Sequence, residues 1–199
     1  MASDQVCVLG VTMTSDMSLD KHVASVCVMC FYWLRQLRWV RRSLDAESAA
    51  TLVHAFVMSL VDYCNAILSG ASESTTDKVQ QVMNATALVI SDMLKYDRGV
   101  TNLPHDELHW LDVPERLQYK LCATVHQCLQ HRAPHYMKDC CIHTSDIARR
   151  QHLRSAGCRQ LLVPQHRRSM FGCQAFSVAV PAAWNSLPDY LQDLWTVLL

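Results

Sequence analysis

The chain has 199 residues, half of them hydrophobic, with 18 basic and 18 acidic side chains, 5 glycines and 6 prolines. This composition excludes a disordered, collagen-like or linker-like chain, and the absence of net charge excludes a molecule whose overall field steers it to nucleic acid or membrane. The length suits one domain, or two small ones, around a real core.

The charge is unevenly placed. Between Asp20 and Asp45 stand Lys21, Arg35, Arg38, Arg41 and Arg42, and between Asp146 and Asp189 stand Arg149, Arg150, Arg154, Arg159, Arg167 and Arg168, with no acid in either stretch. Ten cysteines would fit a disulfide framework in a secreted chain, but MASDQVCVLG lacks a basic segment followed by an apolar one. Several cysteines fall on apolar helical positions, where a reduced thiol acts as a small hydrophobe, so the expected setting is intracellular, cytoplasmic or nuclear. The longest apolar run, 49–68, is interrupted by His54, Ser59, Asp62 and Asn65. An ion at its centre would be costly in a bilayer, and neither end carries a lipidation signal, so no membrane association is expected.

In chain order, the first clear element starts after Ser18 and carries Val23, Val26, Cys27, Cys30, Leu34 and Leu37 at helical spacing, with Arg35, Arg38 and Arg42 along one flank. Ser43 to Asp45 forms a break. A second, mostly apolar helix is expected from there to Leu68, stopped by Gly70. Ser74 with Asp77 resembles a capping box for a third helix through Val79, Val82, Met83, Thr86, Ile90 and Met93. Lys95 to Pro104 ends it, and His105 to Trp110 is expected to form one helical turn. Pro114 suits the first position of a helix of about four turns burying Leu117, Leu121, Val125, Cys128 and Leu129, which Pro134 interrupts. Beyond Cys141, glycines, prolines and arginines punctuate short apolar pieces. Short strands are expected at Leu161–Val163 and Ala175–Val178, then a last helical turn near Tyr190 to Val197.

The fold class expected is mainly α: an antiparallel helical body over residues 16–141 and a basic, loop-rich extension over 142–199. There is no internal repeat or low-complexity tract.

An ordered series of phrases points to a family. They are Leu9-Gly10-Val11, Leu19 with His22, Asp62-Tyr63-Cys64-Asn65, Leu108-His109-Trp110-Leu111, Arg116, and Ala133-Pro134 with Tyr136. Arg154-Ser155, Val163-Pro164, Ala175-Phe176-Ser177-Val178 and Trp184-Asn185-Ser186-Leu187-Pro188 follow. In order and spacing, over roughly residues 8–191, the chain resembles the region after the catalytic palm in LINE-type (non-LTR) retrotransposon reverse transcriptases. The resemblance implies that residues 1–15 close the palm, that 16–141 is thumb-like, and that fingers and palm lie upstream of Met1. It departs from the family where relatives usually carry arginine, at Leu60, Gln81 and Leu88.

Nucleotide transfer needs carboxylates holding two metal ions, which the family places in a Tyr-x-Asp-Asp-type turn. That turn does not occur in the chain, and Asp62, on an apolar helix without a partner carboxylate, reads as structural. No catalytic residue, cofactor or metal site is therefore expected. His126, Cys128, His131, His135, Cys140, Cys141 and His143 supply soft ligands, but their spacing fits no paired zinc plan. No nucleophile elbow or Gly-rich phosphate loop is present.

The remaining candidates are basic. Arg35, Arg38, Arg41 and Arg42 suit a helix flank that tracks phosphates of an RNA or RNA–DNA hybrid, with Trp33 and Trp39 available for stacking. Arg149, Arg150 and Arg154 suit a second nucleic-acid surface. The functional expectation is a reverse transcriptase fragment that binds such a duplex tolerantly of sequence and is not an enzyme. Two alternatives stay open. One is a helical interaction module, self-associating or docking on a reverse transcriptase palm through Phe31, Trp33 and Trp39; the other is an inert translated relic.

Overall fold

The computed structural model describes residues 4–93, 108–147, 160–165 and 175–192. Among these the architecture is mainly α, with seven α-helices and one two-stranded antiparallel sheet. The described residues form two compact units, one reaching Glu115 and one beginning at Arg116.

The first unit opens with a hairpin, β1 (Gln5–Val8) and β2 (Val11–Thr14), in which Val8 faces Val11. Leu9 and Gly10 form the two-residue turn with φ of 49° and 80°. Positive φ at both positions is the primed geometry that matches strand twist, and glycine adopts it without steric cost. The Tyr63 hydroxyl donates to the Leu9 carbonyl at 2.6 Å, tying this turn to the helices.

Helix α1 (Asp20–Val40) buries Val23, Cys27, Cys30, Leu34 and Leu37. Steps of three and four residues put these side chains on one stripe, which is why the chain is helical here. At its start, the Thr75 hydroxyl donates to Asp20 at 2.5 Å and the Ser18 hydroxyl at 2.9 Å, holding the Asp20 carboxyl below its ordinary pKa.

The next segment is one bent helical run: α2 (Ala46–Val53), a widened π turn (His54–Met58) and α3 (Ser59–Asp62). It antiparallels α1, with Trp33 stacked on Phe56 at 4.7 Å between ring centres. The uninterrupted helix expected to Leu68 stops earlier. Tyr63 is extended (ψ 120°), Cys64 is left-handed (φ 51°), and Asn65–Leu68 is a 3-10 turn. The break sends the Tyr63 ring to the Leu9 carbonyl while Asn65 and Leu68 remain buried.

Helix α4 (Glu73–Ser91) returns parallel to α1. It begins ahead of the expected Ser74–Asp77 capping box, with Ser72 in the N-cap position, because the buried Thr75 pins the first turn to Asp20. Most of the break expected after α4 lies outside the described residues, but Leu108 and Trp110 pack against Ala87 and Leu88. Helix α5 (Val113–Leu129) starts one residue before Pro114. The Gln80 side chain donates to Asp112 and accepts from the Val113 N–H, both at 2.9 Å, satisfying a helix start that would otherwise lack a partner.

In the second unit Leu121, Cys122, Val125 and Cys128 of α5 share a core with Cys141, Leu161, Val180 and Trp184. The compact units meet at Glu115 and Arg116, whereas the boundary expected from the sequence lies near residue 142. Helix α6 (His135–Lys138) is a single turn after Pro134. The strand expected at Leu161–Val163 is reduced to one antiparallel bridge, His143 to Leu161. The strand expected at Ala175–Val178 is instead the start of helix α7 (Phe176–Asn185), which buries Val178, Ala179, Val180, Pro181 and Trp184. The Asn185 amide clamps Leu161 from both sides, donating to its carbonyl and accepting from its N–H at 2.8 Å each. Residues 189–192 are helical, which begins the last turn expected from the sequence.

The eight described cysteines are free thiols, and Cys27, Cys30, Cys122, Cys128 and Cys141 are buried. Burial pushes Cys30 and Cys141 up to about 12 and Cys122 up to about 11. Since the thiolate is the reactive form, iodoacetamide at neutral pH is expected to modify Cys7 and Cys64 in the folded chain and to spare these three. Peptide mass mapping reads the result, and equal labelling of Cys30 and Cys64 would contradict the packing described. No described helix is long and apolar enough to cross a membrane.

Candidate nucleic-acid interface

The arginines of the first basic stretch divide into two roles. Arg35, Arg38 and Arg42 follow one another at three- and four-residue steps, so they line one flank of α1 and the short 3-10 turn (Arg41–Ser43) after it. All three are exposed, and none has a hydrogen bond or ion pair among the described residues.

Arg41 is different, and the structure removes it from that flank. Its Nε donates to the Val89 carbonyl at 2.8 Å, Nη2 to Ile90 at 2.7 Å and Nη1 to Leu44 at 2.8 Å. The guanidinium caps the C-terminal carbonyls of α4, where the helix dipole favours a cation. Its donors are used inside the fold, which leaves little to offer a phosphate.

The tryptophans divide in the same way. Trp33 is half-buried against Phe56, so the base-stacking role expected of it is already filled by a protein ring. Trp39 is 83% exposed. Together Phe31, Leu34, Arg35, Arg38, Trp39 and the facing Ala85 of α4 line an open groove of about 390 Å³. Its lining contains two cations, two large aromatic rings and no acid. Ala85 was not among the sequence candidates. Only the packing of α4 beside this flank identifies it, and its small side chain leaves the groove open.

The first unit is acidic in composition. Residues up to Glu115 include 8 basic and 14 acidic side chains, whereas those from Arg116 include 10 and 4, which together make the 18 of each sign. Charges more than about 8 Å away are screened at physiological salt, so the local arginines dominate inside the groove.

Arg149, Arg150 and Arg154 lie outside the described residues. Asp62 is half-buried and accepts from the Asn65 side chain at 3.2 Å, in keeping with a structural role. Among the described residues no three His, Cys, Asp or Glu side chains are grouped to hold a metal ion. Of the soft-ligand cluster, Cys128 and Cys141 belong to the second core and His135 pairs with Asp139 at 3.3 Å.

Comparison of the chain with protein-family models, with curated proteins and with solved structures returns no match.

Proposed function

We propose that this chain is the region following the palm of a LINE-type reverse transcriptase, acting inside the cell, and that it contributes sequence-tolerant binding to an RNA or RNA–DNA duplex without performing chemistry itself. The ordered phrases from Leu9 to Pro188 support the family. The observation that carries the binding is the row Arg35, Arg38 and Arg42, three unengaged cations at one-turn steps along α1 and the 3-10 turn after it. A phosphate backbone is a periodic line of negative charge, and such a row meets it whatever the base sequence.

The test is fluorescence anisotropy of a labelled RNA–DNA hybrid titrated with the chain at several salt concentrations. Alanine at Arg35, Arg38 and Arg42 together is expected to weaken binding and to lower the slope of log affinity against log salt by up to about three, since each phosphate contact contributes about one. A slope indifferent to the three substitutions would sink the assignment.

A second reading, a helical interaction module, draws on the exposed Val28, Met29 and Tyr32 of α1. Concentration-dependent association without nucleic-acid binding would favour it.

A further inference from the structure

The two aromatic rings of the groove are not explained by a row of phosphates. Trp39 is 83% and Phe31 45% exposed, while Trp33 on the same helix finds a ring to stack on. Leaving an indole in water forgoes the stabilisation that burial would bring, and here both rings border the same groove as two arginines. Phe31 and Trp39 are eight residues apart, or about 12 Å along the helix, with Arg35 and Arg38 between them.

A duplex presents phosphates and base edges to its surroundings but hides the flat faces of its bases. Single strands expose those faces, and proteins that hold them combine a basic groove with aromatic platforms. We propose that the groove between α1 and α4 takes unpaired nucleotides of a single strand, with bases stacked on Trp39 and Phe31 and phosphates on Arg35 and Arg38. This rests on reading that flank as a nucleic-acid surface, and it narrows the ligand there from a duplex side to an unpaired stretch. Ala85 fits the role because a larger residue would fill the space a base needs. Stacking is indifferent to base identity, so the binding remains tolerant of sequence.

The experiment compares two labelled probes by anisotropy, an oligouridylate of about twelve nucleotides and a blunt RNA–DNA hybrid of the same length. The unmodified chain, Trp39→Ala, Trp39→Phe and an Arg35→Ala/Arg38→Ala variant are each titrated. Trp39→Ala is expected to weaken the single strand by roughly 5- to 100-fold and to leave the hybrid unchanged, with Trp39→Phe retaining most of the affinity. The arginine variant is expected to weaken both probes. An unchanged thermal melt for Trp39→Ala shows that the fold is intact. If the hybrid binds as tightly as the single strand and Trp39→Ala alters neither, or alters both equally, this inference is overturned and the duplex reading stands. If the unmodified chain binds neither probe, or only associates with itself, both readings fall.

Discussion

Alanine in place of Arg41 is expected to destabilise the first unit by about 2–4 kcal/mol, lowering its melting temperature by roughly 5–15 °C. Three donors of one guanidinium reach the carbonyls of Val89, Ile90 and Leu44, so a single truncation leaves three acceptors to find water. Hydrogen bonds from a charged donor contribute about 1.5–3 kcal/mol each, and the expected total lies well below their sum because Arg41 is only half-buried and water reaches part of the site. Lysine is a poor substitute, since an ammonium cannot reproduce the planar fork that spans three carbonyls. The same substitution should leave the salt slope of nucleic-acid binding unchanged in the folded protein. Urea titration with circular dichroism measures the loss, and a change under about 0.5 kcal/mol, the usual range for surface substitutions, would show that the cap is dispensable.

Trp184→Ala is expected to cost the second unit about 3–5 kcal/mol, the range for deleting a large aromatic side chain from a packed core. Trp184 is 1% exposed and packs with Val125, Cys128, Leu161 and Val180. Its own carbonyl accepts from the buried Gln192 amide at 3.1 Å, so a shift of this helix also disturbs the following turn. Because two compact units can unfold separately, the loss is read from probes in the second unit rather than from one global midpoint. Trp39→Ala, with the same chemistry on an exposed ring, is the control and should leave the melt unmoved. A Trp184→Ala variant as stable as the unmodified chain would rule out the core described.

Helix α1 was legible in the sequence because its buried stripe follows the three-and-four rhythm from Val23 to Leu37. The same rhythm continues to Arg41, four residues after Leu37, and so carried the signal that this arginine points inward while Arg38 and Arg42 do not. Grouping all four by charge obscured it. The stop at Tyr63 was not legible, since it follows from a hydrogen bond to Leu9, 54 residues away in sequence. At Ala175–Val178 the short apolar run and Pro181 suggest punctuation, and so a short strand rather than the start of α7. Pro181 instead lies buried within the helix, where packing against the core outweighs its poor helical propensity. The groove was half legible: its arginines and rings stand in one stretch of chain, but the wall at Ala85 comes from a helix whose position beside α1 only tertiary packing decides.

The widened turn at His54–Met58 divides its helical run into two separately phased pieces. A π turn holds one residue more than an α turn, and one residue corresponds to about 100° of rotation. Because the widened turn absorbs that extra residue, the buried Ala49, Val53, Val57 and Val61 stay on one face although they recur at steps of four. Wound regularly with the same residues, the run would carry Val61 about 100° off that face and take the Tyr63 hydroxyl away from the Leu9 carbonyl. The widened turn therefore acts as an angular spacer, and the docking of the N-terminal hairpin depends on how this segment winds as much as on its side chains.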